Sequence, residues 1–122
     1  MTKDQLRAQT AFTNVTQFAV GRSQTQKDRY GGMAHKLPVL IRASGLLQAL
    51  VFVEARGDNE HQTLLEHLAQ TVYPQQNKIY LLQQSRTTNL TEYMHLTREV
   101  LAVCLWYKRF GQSILDAQIG GE

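Results

Sequence analysis

Lys27-Asp28-Arg29-Tyr30-Gly31-Gly32-Met33-Ala34-His35-Lys36-Leu37-Pro38-Val39-Leu40-Ile41-Arg42-Ala43-Ser44-Gly45-Leu46-Leu47-Gln48-Ala49-Leu50-Val51-Phe52 is the stretch on which the reading of this 122-residue chain turns. From Val39 onward, Leu40, Ala43, Leu46, Leu47, Leu50 and Val51 recur with a period of about 3.6 residues, as on an amphipathic helix. Pro38 lacks an amide hydrogen and disfavours the helical region for Leu37. A bend or break is therefore expected there, with Pro38 in the first turn of a new helix. Gly45 offers another joint. Lys27, Arg29, Lys36 and Arg42, with Tyr30 among them, make a basic strip of the kind that neutralises phosphates and releases their counterions. Arg29 and Lys36 are seven apart, so a continuous helix places them near one azimuth.

Helical patterns extend in both directions. Ala8, Ala11, Phe12, Val15, Phe18 and Ala19 recur at helical spacing between Thr2 and about Gly21. Thr2 with Gln5 fits a capping box, Gly21 is a stop, and Ser23 caps a second helix running to about Leu37. Gly57-Asp58-Asn59 is a turn, and Leu64, Leu65, Leu68 and Val72 stripe a helix ended by Tyr73-Pro74. Ile79 to Gln83 reads as helix, because no partner strand is in sight. The last helix begins at Asn89 with Glu92, and its Leu90, Tyr93, Met94, Thr97, Val100, Leu101 and Cys104 follow one face. Leu96, Val103 and Phe110 widen that face. Gly111 is expected to weaken or end the helix, with a short Ile114-Leu115 continuation and a tail frayed from about residue 116. The expectation is an all-α, single-domain bundle of about five to six helices with a long C-terminal helix, spanning residues 1–122.

Composition bounds the classes that remain. A chain of this length with 43% apolar residues buries enough surface to fold without disulfides or a metal. The lone Cys104 excludes an internal disulfide and a multi-Cys zinc site. Met1-Thr2-Lys3-Asp4 leads into a polar segment rather than a signal peptide, and no run of apolar residues is long enough for a membrane span. Cytoplasm is the expected location, and the tripeptides Asn14-Val15-Thr16 and Asn89-Leu90-Thr91 then carry no glycan. The formal charge is +3, unevenly spread. Residues 1–42 set seven bases against two acids for +5, whereas residues 43–75 net −3. A basic half suits a polyanion, and an acidic middle suits a protein neighbour.

Catalytic and metal chemistry find little support. His61 and His67 are six apart, which does not place them on one helical face. His95 and Glu99 are spaced i,i+4 but lack a third ligand, and such a pair reads as a solvated surface pair. Cys104 falls on the apolar stripe and reads as a buried thiol. Gly31-Gly32 lack the Lys and Ser/Thr of a phosphate loop. Asp4, Asp28, Asp58 and Asp116 are scattered. Some helical ribonucleases place a His four to six residues beyond an Arg, and Arg29/His35 and Arg56/His61 both meet that loose spacing. Tyr30 and Gly57 stand where that family usually has a polar residue.

The run Tyr30-x-x-Met33-Ala34-x-Lys36-Leu37-Pro38-x-Leu40-Ile41-Arg42-x-x-Gly45-Leu46-x-Gln48-Ala49-Leu50-x-Phe52 resembles the signature of the small helical subunit of Cmr complexes, the type III-B CRISPR effectors that target RNA with a guide RNA. The resemblance implies a helical bundle with no enzymatic activity, no cofactor and no metal. It implies that a few copies stack beside the filament of larger subunits holding the guide, with a basic face lining the channel of the guide–target duplex. On the matched positions the RNA-binding candidates are Lys36 and Arg42, with Lys27 and Arg29 just upstream. Arg7, Arg22, Lys108 and Arg109 join them on charge and helix position alone. Partners expected are the other Cmr subunits, further copies of the chain, guide RNA and target RNA. Two other readings stand beside this one: a metal-independent ribonuclease using Arg29 and His35, and a scaffold subunit that binds protein alone.

Overall fold

The structure, a computed structural model, describes residues 1–117. Six helices follow one another: α1 (Lys3–Ala19), α2 (Gln24–Ser44), α3 (Leu46–Arg56), α4 (Asn59–Val72), α5 (Lys78–Thr87) and α6 (Leu90–Ser113). No strand occurs among the described residues, and Ile79 to Gln83 lies within α5, as the pattern predicts. Residues 118–122, most of the tail expected to fray, lie outside the described residues.

The helix starts follow from local chemistry. Gln5 N–H donates to the Thr2 hydroxyl at 3.0 Å and Gln5 Oε1 accepts from the Thr2 N–H at 2.7 Å. Ser23 and Gln26 form a second reciprocal box at the head of α2. Asn77 and Asn89 each accept a backbone N–H in the first turns of α5 and α6. Each such bond satisfies one of the orphan amides that a helix start leaves.

Two expected interruptions fall elsewhere. Pro38 lies buried inside α2, which continues to Ser44 instead of breaking. The missing amide costs one i→i−4 hydrogen bond to Ala34, but α2 packs on α3, α4 and α6, and that packing outweighs the local preference. The joint comes at Gly45, whose φ of +89° suits glycine alone. Just past it, Leu47 N–H donates to the Tyr93 hydroxyl at 3.0 Å, tying the α2–α3 corner to the start of α6.

Gly111 likewise does not end α6 but sits in its last turns, against Gly31 of α2. A Cβ on Gly111 would stand 3.3 Å from the Gly31 Cα, and a Cβ on Gly31 would overlap the Cβ of Ala117. These two glycines let the helix backbones approach closely, so the residue type expected to stop a helix instead joins two. The Gln24 side-chain amide adds bonds to the carbonyls of Leu115 and Asp116 at 3.3 and 3.2 Å. With Gln24 at Leu115, Gly31 at Gly111 and the C-cap Gly45 at Tyr93, α2 runs antiparallel to α6. Arg7 meets Glu99 and Asn14 meets Tyr107, so α1 runs the same way as α6.

The helices enclose one apolar cluster, contributed by all six and continued by Leu115. A polar knot crosses it. The Tyr30 hydroxyl lies 2.7 Å from His67 Nδ1, and the Tyr107 hydroxyl contacts Asn14 Nδ2 at 3.0 Å, Thr71 Oγ1 at 2.8 Å and the His67 carbonyl at 3.2 Å. Burial pushes the Tyr30 hydroxyl well up, so it stays protonated and donates to the imidazole. The same burial, helped by the nearby Arg22 charge, pushes His67 down to about 4. The knot thus fastens α1, α2, α4 and α6 around a neutral histidine.

Two outcomes follow. Gly111→Leu should lose about 2 kcal/mol in urea unfolding, because overpacking against backbone exceeds the helix-propensity gain. Unfolded His67 takes up a proton near its ordinary value, whereas the folded form does so only near 4. Stability should therefore fall as pH drops below about 6.5, by about 2 kcal/mol between pH 7 and 5, and His67→Gln should flatten that slope.

Candidate nucleic-acid interface

Because α2 is continuous, its basic residues can be placed by helical geometry. At about 100° per residue, Arg29 and Lys36 share one flank, while Lys27 and Arg42 share the other. Tertiary neighbours agree: Arg29 Nη1 lies 3.6 Å from Glu60 Oε1 of α4, and the Arg42 charge acts on Cys104 of α6. The expected strip is thus two rows, one bordering α4 and the other bordering α6. Arg29 and Arg42 are exposed, and Lys27 and Lys36 are half-buried. Glu60 is itself buried, so Arg29 supplies the charge that makes a carboxylate tolerable there. Lys27, Arg42 and Lys108 form no ion pair among the described residues.

The weaker candidates have other neighbours. Arg7 binds Glu99 with two bonds, Nε to Oε2 at 2.9 Å and Nη2 to Oε1 at 2.6 Å, and reaches Asp4 at 3.1 Å. That pairing raises Arg7 and holds the Glu99 carboxyl below its ordinary value, against the opposing effect of burial. Lys3 stands 3.3 Å from the same carboxylate. The charge of Arg7 is therefore matched inside the fold, locking α1 to α6. Arg22 lies 4.5 Å over the Phe18 ring and Arg109 lies 5.1 Å over the Trp106 ring. Lys108 is half-buried on α6.

The acidic middle is also largely engaged. Glu60 faces Arg29, Glu66 accepts the Lys78 N–H at 2.8 Å, and Glu54 lies 3.8 Å from Lys78 Nζ. Asp58 stands 3.6 Å from the imidazole of buried His61.

None of the loosely spaced chemical pairs closes into a site. Arg29 and His35 ride on one straight run of α2, about 9 Å apart along its axis and about a third of a turn around it. Arg29 is turned to Glu60, and His35 is half-buried. His61 is buried, whereas Arg56 is exposed and lies over the Phe52 ring at 5.7 Å. Glu99 turns to Arg7 and His95 to Arg98, the latter at 3.0 Å, so the i,i+4 pair shares nothing. The Cys104 thiol is buried and pushed up to about 12 by that burial. Among the described residues no three His, Cys, Asp or Glu side chains are placed to hold a metal, and no helix is long and apolar enough to cross a membrane.

Sequence reasoning passed over two features. Trp106, Phe110 and Phe12 gather on one surface, although Trp106 alone of its kind was a visible signal. A cleft of about 440 Å³ opens between the start of α1 and the α5–α6 corner, lined by Lys3, Arg7, Tyr73, His95, Arg98 and Glu99. Its charges are mixed and mostly paired.

Comparison with known proteins gives consistent matches. The sequence profile of the CRISPR-associated protein family Cas_Cmr5 matches residues 3–114. A curated relative from Thermus thermophilus, "CRISPR system Cmr subunit Cmr5", is 42% identical over 115 residues, covering 94% of this chain and 97% of the relative. The X-ray crystal structure of a CRISPR-associated Cmr5 family protein from the same organism superposes with a TM-score of 0.84 at 42% identity, covering 93% of this chain and 96% of the other.

Proposed function

The chain belongs to the Cas_Cmr5 family, and from that membership we propose that it is a non-catalytic, RNA-binding subunit of a cytoplasmic Cmr effector. In this reading it assembles with the other Cmr subunits and with further copies of itself, and its cations face the guide–target RNA. The observation that carries the RNA contact is the disposition of α2, which exposes Arg29 on one flank and Arg42 on the other, while Glu54, Glu66 and Glu99 are engaged by other elements. Lys27, Lys36, Arg42 and Lys108 are the residues best placed for phosphate, with Arg29 shared between RNA and Glu60. Arg22 and Arg109 sit over aromatic rings from which a guanidinium can still reach outward. Arg7 acts chiefly through Glu99.

Phosphate contacts of this kind are salt-dependent and tolerant of sequence. With single-stranded RNA as the probe, Lys36→Glu combined with Arg42→Glu should weaken binding and lower the slope of log affinity against log salt by about 1.4, as expected for two lost phosphate contacts on a single strand. The double variant should keep the helical content and melting behaviour of a folded chain. If it enters the complex and binds target RNA as the unaltered protein does, the assignment of these cations fails.

A further inference from the structure

Beyond α6 the chain turns back along α2. The Gln24 side-chain amide donates to the carbonyls of Leu115 and Asp116 at the head of α2, and Asp116 has a φ of +51°. The Ala117 N–H then donates to the Gly111 carbonyl at 3.2 Å. Ala117 packs on Gly31, where a side chain on the glycine would overlap the alanine Cβ. Gly31 lies about two turns beyond Gln24, so the turn leaves the backbone advancing in the direction of α2. Ahead of it, the outer line of α2 runs through Gly32, His35, Val39 and Ala43, between a flank bearing Lys36 and a flank bearing Arg42. Val39 is 66% exposed, and Arg42 and Ala43 are exposed with it.

We propose that residues 118–122 dock along this line and compete with RNA for Lys36 and Arg42. The inference rests on the RNA-binding reading above and gives it a competitor within the chain. The segment reads Gln118-Ile119-Gly120-Gly121-Glu122. Five extended residues cover roughly 16 Å, the length of about eleven helical residues. From Gly31 that span reaches Arg42. On this path Ile119 comes level with His35 and Val39 and gives the exposed valine an apolar cover. Gly120 and Gly121 carry no side chains, which lets the backbone lie close over Pro38 and Val39. The Glu122 carboxylate then arrives between the two cationic flanks, and a phosphate drawn to them must displace it. The contact of Ala117 with Gly31 is the first part of the same seat and holds the segment at high effective concentration.

Cys104 is the only cysteine and is buried, so a nitroxide attached through Gly121→Cys labels the segment alone. In the full chain it should broaden the amide signals of residues 35–42 and spare those of α5. Single-stranded RNA added at low salt should restore the broadened signals. Truncation after Ala117 should strengthen RNA binding about threefold at low salt, as for loss of a competing exposed ion pair. Glu122→Gln should reproduce most of that gain, and high salt should shrink it. Unchanged melting of Glu122→Gln separates the effect from any loss of stability on truncation. Absence of broadening on α2 overturns the seat, and RNA affinity unmoved by both changes overturns the competition. Broadening of an isotope-enriched, unlabelled chain mixed with labelled chain would place the segment on a second copy and also overturn the inference. If α2 is broadened but neither the full nor the truncated chain binds RNA, the RNA-binding reading fails and the competition with it, while the seat stands.

Discussion

The close crossing of α2 and α6 at Gly31 and Gly111 is the constraint on which the other contacts depend. Two backbones with no side chain between them fix the spacing of the longest helices, and Ala117 is packed against the same point. With that distance set, Tyr30 and Tyr107 come from facing helices toward His67, and Gln24 reaches the carbonyls beyond α6. A bulkier residue at either glycine would displace all of these together. The antiparallel pair in turn gives α4 a groove against which to pack, while α1 packs on α6 and α4.

Electrostatics divides the charged residues into two populations. Arg7, Lys3, Glu99 and Asp4 bind helix to helix, and Arg29 compensates the buried Glu60. Lys27, Arg42 and Lys108 have no such partners among the described residues. A charge that must hold the fold together is poorly available to a ligand, because removing it leaves its partner desolvated and unpaired. Counting bases along the chain overstates the polyanion-binding surface for this reason. Of Lys27, Arg42 and Lys108, the first two fall on α2, whose sequence also carries the family signature.

Much of the architecture was legible in the residues. Capping pairs at Thr2/Gln5 and Ser23/Gln26 are local chemistry and mark true helix starts, and the apolar period names core residues such as Leu46, Leu50, Leu64 and Leu68. Pro38 and Gly111 misled for a common reason: local preference says what a residue favours alone, and both lie where tertiary packing decides. Glycine has two uses, ending a helix and admitting a neighbour, and its spacing does not distinguish them. The basic residues of α2 were recognisable, but their division into two flanks required knowing that the helix passes unbroken through Pro38. The Arg7–Glu99 pair, 92 residues apart, left no periodic trace. The exposed aromatic cluster was hidden because Phe12 and Phe110 fit an apolar stripe as well as core residues do.

The placement of α6 also governs when the fold can close during synthesis. Residues 90–113 supply one side of the contacts made by α1, α2 and α4, so the preceding helices emerge from the ribosome before their main packing partner exists. Until then the parts of α1 and α2 that face α6 remain uncovered, and isolated helices of their length are marginal in water. Completion of the core is therefore a late event, and the nascent chain is most open to aggregation or chaperone capture just before α6 appears.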